Sequence, residues 1–127
     1  MNIDLPPYGF LEHKGNHFHG IGLSTAIGPV DGQIDGVDFS VPDMQSKILS
    51  VLGMIQEIDS QARAYFEKHA SDDVKASGGL VEPSLLFCPS DDAGTFVLFY
   101  SGSKEDDDMC YGVDFQDYAP HDLIIGD

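Results

Sequence analysis

Three of the five histidines in the chain lie within the stretch EHKGNHFHG, residues 12–20. Imidazole is a common zinc ligand, and three imidazoles with or without a neighbouring carboxylate make a plausible zinc shell. On a strand, His17 and His19 point to the same side, and His13 lies across a short turn from them. The stretch therefore gives a metal-binding hypothesis with His13, His17 and His19 as ligands, although their spacing matches no established zinc motif.

The metal hypothesis competes with a simpler interpretation of the same stretch. Histidines in a hairpin are often exposed or paired with a neighbouring acid, and this chain has 22 Asp and Glu residues. The stretches DGQIDGVD and KEDDDMC offer oxygen ligands for Ca²⁺, but neither matches the EF-hand loop. We therefore assign no cofactor, and we keep a metal-binding protein or a metal-dependent enzyme as the alternative function.

Other stretches that resemble catalytic motifs lack the residues that the chemistry needs. GLSTA, residues 22–26, resembles a nucleophile elbow, but an elbow requires a helix directly after the serine, and Gly28 and Pro29 block one. The glycines of GIGLSTAIG have no following lysine and no helix start, so they form no phosphate-binding loop. Arg63 is the one arginine of the chain, which disfavours an enzyme for anionic substrates. We predict that the protein is not an enzyme.

The net charge narrows the range of partners. Asp and Glu number 22 against 6 Lys and Arg, which gives a formal charge of −16. Residues 64–127 hold 14 acids and 3 bases, a net of −11, and residues 1–63 hold 8 acids and 3 bases, a net of −5. So acidic a surface repels phosphate, which argues against nucleic acid and anionic membranes. It favours a basic protein as the partner, while charge that serves solubility alone is the simpler alternative.

Acidic residues concentrate in two turns of the last third of the chain and on the strand after them. Such residues favour turns and solvent in any protein, but a surface of this kind also steers a basic partner into place. We predict that eight of them form the partner-binding surface: Asp91, Asp92, Glu105, Asp106, Asp107, Asp108, Asp114 and Asp117.

The size of the chain indicates one domain, and its cysteine content indicates free thiols without a disulfide. A chain of 127 residues suits a single hydrophobic core, so we predict one domain over residues 1–127. Cys88 and Cys110 have no framework spacing, and we expect both to be buried, structural thiols. The first ten residues show no basic region followed by an apolar run, and no stretch reaches the ~18 apolar residues of a membrane span. We predict a cytoplasmic protein.

The elements that must position these residues follow a strand–helix–strand order. YGFLEH and HFHGIGLST are strand-like runs joined by KGN, which predicts a β-hairpin, and QIDGVDF predicts a further strand. From Ser40, a good N-cap, apolar residues recur at steps of three and four, which predicts one long or broken helix over about residues 41–69 with a break near Ile58.

The last third predicts strands again, in PSLLFC, TFVLFYSG, MCYGVDF and DLIIG. Both faces of FVLFY are apolar, which favours a central strand. Short connections favour antiparallel pairing. The fold class predicted is therefore α+β: a two-layer sandwich with a mainly antiparallel sheet and the helix of residues 41–69 packed on one face.

The succession GNHFHGIGL, ILSVLGMIQEIDSQARAYF, FVLFYSG and YGVDFQD resembles small bacterial α+β domains of the immunity-protein type. These domains serve toxin–antitoxin and contact-dependent inhibition systems. The resemblance implies a small, often acidic protein without catalytic residues, which binds a cognate toxin, frequently a basic nuclease, and covers its active surface. The function expected is therefore toxin neutralisation. The metal-dependent alternative and a structural domain whose charge serves only solubility remain open.

Overall fold

Eight strands and two helices make up the part of the chain that the structure, a computed structural model, describes, residues 2–126. The strands of the first half are β1 (Asn2–Leu5), β2 (Gly9–Lys14), β3 (His17–Thr25) and β4 (Gly28–Ile34). The helices are α1 (Val41–Gly53) and α2 (Ile55–Ser77). The strands of the second half are β5 (Leu80–Phe87), β6 (Phe96–Gly102), β7 (Cys110–Gln116) and β8 (Ala119–Gly126).

All eight strands belong to one sheet, and their order in the sheet is their order in the chain. Neighbours pair antiparallel throughout, except that β4 and β5 are parallel. Parallel neighbours need a long crossover, and α1 and α2 provide it. The predicted fold class is thus wrong: the chain is 45% strand and 29% helix, an eight-stranded mixed sheet with two helices. Short connections suggested antiparallel pairing, and the one long connection produces the exception.

The predicted long or broken helix of residues 41–69 is broken into two helices. The break lies at Met54, where φ is −109° and ψ is 11°, and not near Ile58. The second helix runs on to Ser77, but it is kinked at Ala70, where φ is −149° and ψ is 39°, directly after the predicted end at residue 69. Ser77 is buried completely, and its hydroxyl donates to the Val74 carbonyl. Gly78 ends it in the left-handed region, at φ 80°, a conformation that glycine adopts without strain.

The hairpin predicted around KGN is confirmed. Lys14 pairs with His17, and Gly15, at φ 66°, takes the first place of the two-residue turn. The strand predicted at residues 33–39 is misplaced, since β4 is Gly28–Ile34. The four strands of the last third are confirmed with shifted ends.

The core lies between the helices and one face of the sheet. Phe96, Leu98 and Tyr100 alternate along β6 and are all buried there, and Tyr100 packs edge-on against Phe66 of α2. The register extends this side across the sheet, because Leu98 pairs with Leu85 on one side and with Val113 on the other. Alternate residues of each strand therefore face the helices, and the residues between them face away.

No helix within residues 2–126 is long and apolar enough to cross a membrane.

Candidate docking surface

The hairpin register separates the three histidines. His13 pairs with Phe18, whereas His19 pairs with Glu12. His13 therefore lies on the helix side of the sheet, with its ring 5.0 Å from the Phe18 ring. His17 and His19 lie on the opposite side, with ring centroids 6.4 Å apart. The three imidazoles do not converge, and residues 2–126 contain no group of three or more His, Cys, Asp or Glu side chains that could hold a metal ion.

The eight acidic residues of the predicted surface fall into three separate places. Asp91 and Asp92 lie in the β5–β6 loop, beside the turn of Asp117, where the Tyr118 amide donates to the Gly94 carbonyl over 3.0 Å. The acidic run 105–108 lies in the β6–β7 loop, at the other end of β6. Seven residues of strand place the two groups roughly 20 Å apart.

Two of these acids also have structural roles. The Asp107 carboxylate accepts hydrogen bonds from the Tyr111 hydroxyl over 2.8 Å and from the Met109 amide over 2.9 Å. Burial and this hydrogen bond raise the pKa of Tyr111 to about 12. The backbone carbonyl of Asp91 accepts from the Lys47 ammonium over 2.8 Å. The carboxylate of Asp107 therefore has a role within the fold, whereas the contact of Asp91 does not involve its carboxylate.

Asp114, the eighth, lies on the side of the sheet that faces away from the helices. We call this side the open face. Each strand contributes alternate residues to it, and every non-glycine residue in the following list is exposed or half-buried. The open face includes Asn2, Asp4, Phe10, Glu12, Lys14, His17, His19, Ile21, Asp31, Gln33, Ser84, Leu86, Val97, Phe99, Ser101, Cys110, Gly112, Asp114, Asp122, Ile124 and Gly126.

Apolar side chains form the centre of the second half of the open face. Leu86 pairs with Val97 across β5 and β6. Phe99 faces Gly112 on β7, and a Cβ at position 112 would lie 2.7 Å from the Phe99 ring. The ring therefore lies across the glycine, which has no side chain to displace it. Ile124 continues the row on β8 and is 42% exposed.

A second apolar group lies on the first half of the open face. Phe10 is 51% exposed, and Ile21, beside it on β3, is 77% exposed. The β3 bulge between Gly20 and Leu23 raises Ile21 at the edge of a depression of about 340 Å³. Exposed large apolar side chains that recur on one face mark an interaction surface more often than an ordinary protein surface.

Carboxylates lie on the same face as these apolar groups. The open face carries five of them against a single cation, Lys14: Asp4, Glu12, Asp31, Asp114 and Asp122. Asp114 and Asp122 are directly opposite each other on β7 and β8, an arrangement that destabilises a sheet. Neighbouring like charges at these positions are difficult to explain by folding stability.

The two cysteines differ in environment. Cys88 is half-buried, and burial followed by the charges of Asp91 and Asp35 raises the pKa of its thiol, so it is a poor nucleophile at neutral pH. Cys110 is exposed on the open face, where it pairs with Ser101. The prediction of two buried thiols is wrong for Cys110.

Comparison with family models, with curated proteins and with solved structures gave no match to this chain. The resemblance to immunity proteins therefore stays a prediction.

Sequence reasoning found the acidic turns and missed most of the open face. The signal was present in FVLFY, where Val97 and Phe99 alternate with the core residues. Two apolar sides predicted a central strand, and β6 does lie between β5 and β7, but the pattern was not interpreted as an exposed apolar face. The period-two pattern of HFH would similarly have placed His17 and His19 away from the core.

Proposed function

We propose that this chain is a non-enzymatic, acidic binding protein of the cytoplasm, most concretely an immunity protein that neutralises a basic toxin such as a nuclease. The observation that carries the proposal is the open face, an uncovered side of an eight-stranded sheet that carries exposed apolar groups and five carboxylates. Interfaces commonly combine an apolar centre with a polar rim.

The size of the open face suits a stable complex. Eight strands at ~4.8 Å spacing are about 34 Å wide, and strands of seven residues are about 20 Å long, so the face measures roughly 700 Å². A typical specific interface buries about 800 Å² on each partner. One partner that covers the open face also reaches both groups of acidic turns, since they lie at its two ends.

The distribution of charge supports a basic partner. The helical segment, residues 41–77, holds 6 acids and 4 bases, a net of −2, while the strands and loops hold 16 acids and 2 bases, a net of −14. The negative potential is therefore concentrated away from the helices. Such a field accelerates encounter with a positively charged surface at low salt. A toxin whose substrate is anionic must itself present a positive surface, which this protein would cover.

The proposal is tested by capture of partner proteins from a lysate of the source organism, with the immobilised wild type and two single-residue variants as baits. Val97→Lys places a positive charge in the middle of the open face, and Val37→Lys makes the same change in the exposed loop after β4. We expect the wild type and Val37→Lys to retain one basic protein in near-stoichiometric yield. We expect Val97→Lys to lose at least about 90% of it, as for a central contact. Equal retention by the three baits would show that the partner binds elsewhere.

Cys110 provides an independent readout of the same complex. Its thiol is exposed on the open face, so a partner on the open face should slow the alkylation of Cys110. Unchanged alkylation of Cys110 in a stoichiometric complex would contradict docking on this face.

A further inference from the structure

A depression of about 220 Å³ lies on the open face where β4 and β5 run parallel. Two rows of side chains border it. Asp31, Ser84 and Phe99 are successive partners across three strands, and the second row is His19, Gln33 and Leu86. The depression thus has a carboxylate on one side, an aromatic ring about 10 Å away on the other, and a small serine between them.

The carboxylate is held in a fixed orientation. The Gly22 amide donates to Oδ1 of Asp31 over 2.8 Å, and Gly22 belongs to the β3 bulge, at φ 68°. A carboxylate accepts several hydrogen bonds at once, so one backbone donor orients the group and leaves acceptor positions for a ligand. A group that is oriented in advance loses less entropy on binding.

A second bulge flanks the same residue. The register of β5 shifts between Val81 and Ser84, directly beside Asp31, and Glu82 within it has a φ of 55°, a strained conformation for a non-glycine residue. Glu82 and Asp31 together line a neighbouring depression. Bulges on both sides of one residue are typical of binding sites, where they re-aim side chains.

We propose that the depression binds an arginine side chain of the basic protein partner, an inference that rests on the proposed function. The guanidinium pairs with the Asp31 carboxylate, and the methylene stem lies over Ser84 against Leu86 and Phe99. Negative charge beside an apolar wall complements this side chain, whose head is cationic and whose stem is apolar.

Arginine fits better than lysine for two reasons. The guanidinium is planar and has five donors, so it can bond to Asp31 and to a second acceptor such as the Gln33 amide oxygen. It is also less strongly hydrated than an ammonium group, which favours its transfer to a depression bordered by Leu86 and Phe99.

The test is an NMR titration of the ¹⁵N-labelled full chain at low salt with two blocked peptides, acetyl-Gly-Arg-Gly-amide and acetyl-Gly-Lys-Gly-amide. We expect weak binding of the arginine peptide, with the largest amide shifts at Gly22, Ser84 and Phe99. We expect the lysine peptide to bind several-fold more weakly. Equal affinities, or shifts spread evenly over the acidic turns, would overturn the proposal.

Two variants that each remove one carboxylate test whether the charge that binds the arginine peptide is that of Asp31. Asp31→Asn should weaken binding of the arginine peptide about tenfold, because it removes a charge-assisted hydrogen bond. The Asn side-chain oxygen can still accept from the Gly22 amide, so the fold is expected to survive. Asp114→Asn removes the same charge from another part of the open face and should change the affinity less than about twofold, through long-range attraction alone. Equal effects of the two variants would overturn the proposal.

Free arginine separates a protein ligand from a small-molecule ligand. Its α-ammonium and α-carboxylate are absent from an arginine within a protein chain, so a site for a protein side chain gains nothing from them, and we expect free arginine to bind no more tightly than the blocked peptide. Tighter binding of free arginine would overturn a protein-docking role. The peptide titration and the bait experiment test the arginine site and the proposed function separately. Localised binding of the arginine peptide with no captured partner would contradict the proposed function and support the arginine site. If a partner is captured and the Asp31→Asn variant binds it as tightly as the wild type does, the arginine site is contradicted and the proposed function is retained.

Discussion

The two faces of the sheet are built from the same strands but have different neighbours. On the face that packs on α1 and α2, the alternating side chains are apolar and buried. The neighbouring residues of each strand point to the open face. There, apolar side chains occur together with carboxylates, and both are accessible to solvent. Their comparison separates the residues that stabilise the fold from the residues that remain available for binding.

The largest expected difference between the two faces concerns adjacent residues of β6. Leu98→Ala leaves a cavity in the core and should lower the free energy of unfolding by about 2–5 kcal/mol. Val97→Ala, on the open face, should lower it by at most about 1 kcal/mol, mainly through strand propensity. Urea unfolding of both variants measures the two losses of unfolding free energy, and the slopes of the transitions should be compared as well as their midpoints. Similar losses for the two variants would indicate that the open face is covered, for example by a second copy of the chain.

An intermediate effect is expected at the polar contact between the helices and the sheet. The Tyr100 hydroxyl donates to the Asp59 carboxylate over 2.5 Å, and Arg63 pairs with the same carboxylate over 3.1 Å. Tyr100→Phe should lower the free energy of unfolding by about 1.5–3 kcal/mol, as for a hydrogen bond to a charged group. Tyr118→Phe is the control, since within residues 2–126 its hydroxyl makes no hydrogen bond.

The same contact predicts a dependence of stability on pH. Burial, and after it the hydrogen bond to Asp59, raise the pKa of Tyr100. An unfolded tyrosine ionises near pH 10, so the contribution is complete below about pH 10 and is lost as the pH rises above it. Stability measured from pH 8 to 11 should therefore fall less steeply in Tyr100→Phe than in the wild type. An unchanged slope would show that Tyr100 ionises normally in the fold.

The smallest expected effect has the opposite sign and belongs to the open face. Asp122→Asn removes the repulsion between Asp122 and Asp114 and should raise the free energy of unfolding by about 0.2–1 kcal/mol. The gain should shrink at high salt, because exposed charges are screened. Asp92→Asn, in a loop, serves as the control and should change little. Destabilisation by Asp122→Asn would show that the carboxylate contributes to the fold and would weaken the comparison of the two faces.

Local rules predicted six of the eight described strands, because each of these rests on a pattern that neighbouring residues determine; β1 was not predicted and β4 was misplaced. The Gly15–Asn16 turn has the residue types that a two-residue hairpin turn requires, and the strands of the last third show clear apolar runs between turn residues. The break at Met54 directly follows Gly53, the last residue of α1, so a glycine does mark it. The apolar stripe nevertheless continues through Ile55 and Ile58, and this continuity placed the predicted break too late in the chain.

The relation between elements was harder to predict. Apolar residues on both sides of β6 predicted its central place in the sheet, which is confirmed, but nothing within β6 indicates which side packs against the helices. The parallel pairing of β4 with β5 depends on residues some fifty positions apart. The hairpin register determines that His13 lies on the other face of the sheet from His17 and His19. The acidic turns were found because charge is visible residue by residue.

The order of strands along the sheet also has a consequence for folding kinetics. Six of the seven strand pairs join neighbours through short connections, while the pairing of Asp31 with Ser84 and of Ile34 with Phe87 must close the long helical crossover. Local contacts form quickly, and long loops add an entropic barrier. We therefore expect β1–β4 and β5–β8 to form as two local meanders before β4 and β5 join. The depression beside Asp31, which needs both halves, would then be completed in the slowest step.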